Sequence, residues 1–498
     1  MSQIKITNLS FTYPGGFDPV FENASLSIDT DWKLGFTGRN GRGKTTLLRL
    51  LMGEYDYSGS IVKSVDFDYF PFRIPEPDEL SQTALEAIHP DLVPWRLLRE
   101  MAALSLDEEL LYRPFSSLSN GEQTKLLLAL LFSRENRFLL IDEPTNHLDL
   151  EGREQVSRYL NGKKGFILVS HDRAFLDGCV DHILSINKAT IEVQRGNFSS
   201  WWQNKELRDG FELAENEKLK KEIKRLKETA REKAQWADRA EGWKKGAGVA
   251  DAHGAGSTKG FAPTQAAKAK KIMARAKAIE GRRQRAVEEK TKLLKDLENA
   301  DALKLRQEDY FGSRLLFVKD LSVDYGAGPV FEGLGFTLEK GERVALRGKN
   351  GCGKSSVLKL VCGESIPHSG VFELGSRLRV SYVPQDTSQL RGDLSSYARD
   401  CGVDESLFKA ILHKLDFTKT QFDKDMAEFS AGQKKKVLIA RSLCEPAHLH
   451  VWDEPMNYID VLSRMQIEEL LLRYAPTLLF VEHDRAFCDR VATKIIEL

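Results

Sequence analysis

Two segments of the chain share the spacing G-x-x-x-x-G-K-[ST]: GRNGRGKT at Gly38–Thr45 and GKNGCGKS at Gly348–Ser355. That spacing suits a triphosphate. The glycines let successive backbone N–H groups turn toward an anion. Lys44 and Lys354 set an ammonium beside the outer phosphates, and the hydroxyls of Thr45 and Ser355 can hold Mg²⁺. The first loop follows a strand-like run, Trp32–Phe36, and opens the helix-like TTLLRLLMG. A helix N-terminus adds a field that favours the anion.

Further acids and a histidine follow each loop at matching distances. In RFLLIDEPTNHLD, Phe138–Ile141 reads as a buried strand that delivers Asp142 and Glu143 at its end. The first acid can join a Mg²⁺ shell, and the second can orient or deprotonate a water. GFILVSHD reads as another buried strand, ending at His171. The second half repeats the set with Asp453 and Glu454 in HLHVWDEPMNYID and His483 in VEHD. Lys44 to Lys354 is 310 positions, Ser119 to Ser430 is 311, Glu143 to Glu454 is 311 and His171 to His483 is 312. Offsets this constant mark an internal duplication. The copies differ where Met456, Tyr458 and Ile459 replace Thr145, His147 and Leu148.

Between the copies lies a stretch that resembles neither. Leu219, Ile223, Leu226, Ala230 and Ala234, and later Ile272, Ala276, Ile279, Val287, Leu294 and Leu297, recur at helical steps. Both stripes are narrow, so the two helices are expected to pair as an antiparallel hairpin. Six glycines and Pro263 interrupt helix in the loop 242–263. Lys205–Glu241 holds 11 Lys/Arg against 10 Asp/Glu, whereas Gly242–Arg285 holds 11 against 2. A first arm of roughly 37 residues would reach about 55 Å. A basic tip on a long lever points to a polyanion, most simply nucleic acid. Lys244, Lys245, Lys259, Lys268, Lys270 and Lys271 would meet phosphates, and Trp243 and Phe261 could stack on bases.

The expected fold class is α/β, with two tandem phosphate-loop ATPase domains at 1–200 and 311–498 and a helical hairpin at 201–310. Net formal charge is zero over 498 residues. The longest apolar runs, such as Leu126–Phe132, are too short to span a bilayer, and MSQIKITNLS does not read as a signal peptide. The six scattered cysteines show no Cys-x-x-Cys spacing, which argues for a reducing compartment. A cytoplasmic protein without a membrane partner is expected.

The order of motifs resembles the ATP-binding cassette (ABC) family. The phosphate loop is followed by LSNGEQTK or FSAGQKKK, a hydrophobic strand with Asp-Glu, Leu-Asp or Ile-Asp, and then His. The resemblance implies ATP and Mg²⁺ as cofactors. It implies that Tyr13 and Tyr325 stack on adenine, and that Asn40, Gly41, Gly43 and Thr46, with Asn350, Gly351, Gly353 and Ser356, complete the two loops. It further implies that each ATP is closed by the signature loop of the other cassette. Ser430, Gly432 and Gln433 would cover site one, and Ser119, Gly121 and Glu122 would cover site two. Asp149 would be the acid of the first D-loop, the segment after the Asp-Glu pair. Thr45, Asp142, Ser355, Asp453 and Gln385 would bear on Mg²⁺. Glu143, Glu454, His171, His483 and Gln385 would act in hydrolysis. The first copy departs from the family pattern, because DYFPFR puts Phe72 where the second copy has Gln385.

A tandem pair joined by a helical hairpin resembles the ABC-F class of ribosome-associated ATPases. The first copy has no long insertion between Lys44 and Ser119, and no basic tail after Leu498 is expected. With the long tip, these features look most like the Lsa-type resistance subgroup. That resemblance implies a monomer with its cassettes paired intramolecularly. It would enter the ribosomal E site beside 23S rRNA and P-site tRNA, not DNA. There it would dislodge lincosamides, streptogramin A and pleuromutilins from the peptidyl-transferase centre. A housekeeping translation factor of the same class, an exporter's ATPase subunit and a DNA-repair ATPase are the alternatives.

Overall fold

The structure is a computed structural model that describes residues 3–15, 19–186, 191–211, 308–326 and 328–498, with single positions 214, 218 and 221. The chain divides into two compact units: Met1–Trp201 together with Asp301–Leu498, and Trp202–Ala300. In the second unit, residues 202–211 are helical. The tip residues Trp243, Lys244, Lys245, Lys259, Phe261, Lys268, Lys270 and Lys271 and the loop 242–263 lie outside the described residues.

The first unit contains the two cassettes. In the first, β3 (Lys33–Gly38) lies between β7 (Phe166–Val169) and β8 (His182–Ile186) in a sheet ordered β5-β6-β7-β3-β8-β9. The strands β5 (Asp66–Phe70), β6 (Arg137–Asp142), β7, β3 and β8 run parallel, and β9 (Ile191–Arg195) returns antiparallel. Parallel strands covered on both faces should be nearly all apolar. Phe138–Ile141 and Phe166–Val169 are accordingly buried throughout. Registers Asp142↔Val169 and Phe36↔Val169 bring the ends of β6 and β3 beside the segment that leads to His171. A smaller antiparallel sheet, β2 (Phe21–Asp29), β1 (Gln3–Phe11) and β4 (Ser58–Val62) in that order, packs its Ile4, Ile6, Leu9 and Ile28 onto helix α1 (Lys44–Met52).

The second cassette repeats the plan with a parallel sheet in which β14 (Val380–Val383), β15, β16, β12 and β17 (Lys494–Glu497) follow in order, and an antiparallel sheet of β11 (Pro329–Glu339), β10 (Arg314–Asp324) and β13 (His368–Leu374). Here β12 is Arg343–Arg347, β15 is Leu449–Asp453 and β16 is Leu478–Val481, and the loop helix is Lys354–Val361. The loop geometry requires glycine at 43 and 353. Both take left-handed φ (90° and 95°), and a Cβ there would lie 2.6 Å from Val20 and Phe331 respectively. Among the described residues, no helix is long and apolar enough to cross a membrane.

Two 14-residue helices start at the signature segments, Asn120–Ser133 and Ala431–Cys444. Each opens on a capping box. The Ser119 hydroxyl accepts from the Glu122 N–H, and the Glu122 carboxylate accepts from the Ser119 N–H; Ser430 and Gln433 do the same. S-x-x-[EQ] before an apolar run is the local cause.

Candidate functional site

At site one the first phosphate loop is pressed against the second cassette. The Lys44 ammonium donates to the carbonyls of Gly38 (2.7 Å) and Arg39 (3.3 Å) and to Asn40 Oδ1 (3.2 Å). Thr45 Oγ1 donates to Asp142 Oδ2 at 2.8 Å, and the Tyr69 hydroxyl reaches the same oxygen at 3.1 Å. His171 Nε2 stands 3.1 Å from Asn40 Oδ1 and 3.3 Å from Glu143 Oε1. Across the cassette boundary, Asn40 Nδ2 donates to the Tyr458 carbonyl at 2.8 Å, and Arg39 pairs with Asp416 at 2.8 Å. Gly432 admits no side chain. A Cβ there would lie 2.3 Å from Tyr458 O and 3.2 Å from Asn40 Nδ2.

Site two is an open cleft of about 1080 Å³, lined by Ser119, Gly121, Lys354, Ser355, Gln385 and His483 among others. Ordinary small-molecule sites span about 300–1,000 Å³, so a nucleotide triphosphate fits. Lys354 donates to the carbonyls of Gly348 (2.9 Å) and Lys349 (2.8 Å), curled back as Lys44 is. Glu454 accepts from Gln385 Nε2 (2.8 Å) and Asn457 Nδ2 (2.6 Å), and His483 Nε2 lies 3.4 Å away. Glu143 and Glu454 both hold left-handed backbone, φ 51° and 46°, a strained setting that clusters at working sites. Beside each phosphate loop stands an exposed tyrosine, tethered by its hydroxyl. Tyr13 bonds to Thr46 (2.7 Å) and Tyr325 to Ser356 (2.9 Å); the Tyr13 ring also meets Phe11 and Tyr55 edge-on, at 5.0 and 5.8 Å between centroids.

The sequence model of the ABC transporter family matches residues 21–146 and 331–457, one match per cassette. Two curated proteins of Bacillus subtilis align over almost the whole chain. The ribosome protection protein VmlR is 28% identical over 98% of this chain and 85% of its own. The putative ATP-binding protein YdiF is 27% identical over 100% of this chain and 80% of its own. This chain belongs to the ABC family, in its ABC-F class. A crystal structure of archaeal ribosome recycling factor aABCE1 with stalk protein aP1 superposes with a TM-score of 0.62 at 19% identity, covering 98% of this chain and 87% of that one. As an ABC ATPase, the ABC-F chain binds and hydrolyses ATP.

The two acids of this ABC-F protein differ in their surroundings. Both Glu143 oxygens are buried without a hydrogen-bond partner, and burial together with the neighbouring Asp142 charge pushes its pKa up to about 8. Burial works against Glu454 as well. The hydrogen bonds from His483 and Gln385 outweigh it and hold Glu454 below the usual carboxylate range. Burial also drives His171 well below an ordinary histidine, so that ring is neutral.

A pH signature follows. A carboxyl with a raised pKa keeps its proton in the folded state until pH passes about 8, so its contribution to stability falls as pH climbs from about 4.5 to 8. The raised pKa leaves Glu143 less ionised at neutral pH than an ordinary carboxyl, and site one should run below its plateau there. Residual turnover in Glu454→Gln should therefore rise with pH through about 8. Turnover in Glu143→Gln should stay level above about pH 6 and be the larger of the two at pH 7. Superimposable pH–rate profiles for the two variants would contradict this difference.

Several side chains at the sites carried no signal in the sequence. Tyr69 on Asp142 and Asn457 on Glu454 lie in the segments DYFPFR and MNYID but at positions given no role there, and Asp416 on Arg39 lies outside any motif. Lys435 is buried, donates to the carbonyls of Pro384 (2.8 Å) and Asp453 (3.2 Å), and is brought by burial down to about 8. Phe72, expected only as a missing amide, packs its ring edge-on against His89, with centroids 5.1 Å apart. Buried charge also crosses the cassettes. Arg173 is hydrogen-bonded to Glu468, and Arg153 Nη1 donates to the His483 carbonyl at 3.2 Å.

Proposed function

We propose that this chain is a ribosome-protection ATPase. In this reading it works in the cytoplasm, binds the ribosome at the E site beside 23S rRNA and P-site tRNA, and uses its interdomain segment to dislodge lincosamide, streptogramin A or pleuromutilin drugs from the peptidyl-transferase centre. The observation that carries the reading is the end-to-end similarity to a ribosome protection protein, in a chain whose sites lie between its own two cassettes. The proposed division is 1–200 and 311–498 for the cassettes and 201–310 for the hairpin.

At site one, Lys44 would bind the outer phosphates, Glu143 would take the water's proton, and His171 would sense the γ-phosphate. Ser430, Gly432 and Gln433 would close over it. At site two, Lys354, Glu454, Gln385 and His483 would do the same under Ser119, Gly121 and Glu122. The residues present fit Mg²⁺. Asp453 Oδ1 is buried without a partner, the Ser355 hydroxyl hydrogen-bonds to that carboxylate, and hard oxygen donors are what this cation takes. Thr45 with Asp142 would hold it in site one, and Ser355, Asp453 and Gln385 in site two. Bound there, the ion would neutralise charge on the β- and γ-phosphates. ATP would lock the cassettes together and hydrolysis would free them, which moves whatever joins them.

The test is cell-free translation stopped by a lincosamide. Added protein with ATP should restore synthesis several-fold. A protein that binds ribosomes but restores nothing would instead support the second reading, a housekeeping ABC-F factor. The near-equal similarity to YdiF, whose name states only ATP binding, favours that alternative.

A further inference from the structure

Position 482, just before the second switch histidine, is Glu where the first cassette has Ser170. Glu482 is buried, and its two oxygens hold two different backbones. Oε1 accepts from the Met456 N–H at 2.6 Å, and Oε2 accepts from the His483 N–H at 3.1 Å. His483 belongs to site two, where its ring stands beside Glu454. Met456 roots the segment that runs to Asp460, whose Tyr458 carbonyl receives Asn40 at site one. One carboxylate therefore joins the switch loop of site two to the segment that meets the phosphate loop of site one.

The first cassette makes the corresponding link with neutral hydroxyls. Thr145 and Ser170 lie 3.2 Å apart, and Ser170 accepts from the Asp172 N–H at 3.2 Å. Met456 has no hydroxyl, so the change of Thr to Met and the change of Ser to Glu make one alternative connection. The carboxylate makes bonds of 2.6 and 3.1 Å to two backbone N–H groups, against 3.2 Å for each contact of the hydroxyl pair, so the link in the second cassette is the tighter.

We propose that Glu482 is a positioning residue that transmits the nucleotide state of site two to the closure of site one. The proposal rests on the assignment of the two ATP sites given above. The full chain tests it through the release of 8-azido-ATP from the first cassette. The probe is photo-crosslinked after increasing chase times and assigned to its cassette by cleavage in the interdomain segment. Release is compared with site two trapped (Glu454→Gln) and with site two emptied (Lys354→Ala).

With Glu482 in place, trapping should slow release about tenfold relative to emptying, the scale of one buried hydrogen bond. Glu482→Gln keeps the volume but sets an NH₂ against one of the two N–H donors, and the ratio should fall below about threefold. Met456→Thr with Glu482→Ser rebuilds the hydroxyl pair of the first cassette and should recover part of the ratio. An unchanged ratio in Glu482→Gln overturns the proposal. So does a ratio near one with Glu482 intact, because nothing is then transmitted. A ratio lost in both variants reduces Glu482 to packing and overturns it as well. The assignment of the sites fails separately, if Glu454→Gln leaves ATP turnover unchanged.

Discussion

Glu143→Gln combined with Glu454→Gln is expected to lower ATP turnover by at least about a hundredfold while leaving ATP binding intact. A positioned general base contributes about 10²–10⁴-fold. An amide keeps the size of the carboxylate and cannot take the proton. The phosphate contacts come from other groups, namely the loop backbones, Lys44 and Lys354, so affinity should hold. Locked closed, the protein should co-sediment with ribosomes in ATP and not in ADP. Turnover of the double variant at the unsubstituted rate would show that these acids are not the bases.

The structure adds a reason to expect site one to respond weakly to the single substitution. Burial and the Asp142 charge raise the Glu143 pKa to about 8, so the change to Gln removes less charge there. At Glu454 the same change replaces an ionised acceptor of the Gln385 and Asn457 amides.

How far the fold could be read in advance follows from where each signal lies. The strands Arg137–Asp142 and Phe166–Val169 are short apolar runs buried on both faces, so composition alone marks them. The phosphate loops and the two capping boxes are written in a few consecutive residues, and their helices begin there. Contacts between distant residues leave no such trace. Asn40 meets Tyr458 across 418 positions, and Arg173 meets Glu468 across 295. Neither pair has a periodicity or spacing to betray it. The change from TNHLD to MNYID was visible as a difference between the copies, but its cause was not. Met456 and Glu482 sit 26 positions apart and explain each other only once β15 and β16 are seen to be neighbours. The contacts of the first phosphate loop with Tyr458 and Asp416 were equally hidden, because both sites are built from the same motifs.

The second large effect concerns the segment between the cassettes. If it displaces drug by reach, its length should matter more than any single charge. The basic excess is spread over eleven Lys/Arg between Gly242 and Arg285, and phosphate contacts shared so widely make each single loss modest. Trp243 and Phe261 could each add about 1–3 kcal/mol by stacking on a base. Removing Ala247–Ser257 deletes no lysine, yet shortens a loop that runs out and back by up to about 18 Å. The cassettes, with both ATP sites, are untouched by the change.

The most direct measurement compares the trimmed and full-length proteins in lincosamide-inhibited cell-free translation, with ATPase activity and ATP-dependent ribosome binding followed in parallel. Ribosome protection by the interdomain segment predicts that trimming abolishes the rescue of synthesis while both parallel activities stay within about twofold. Rescue undiminished by the trim would contradict it and leave the segment as a connector between two ATPase cassettes.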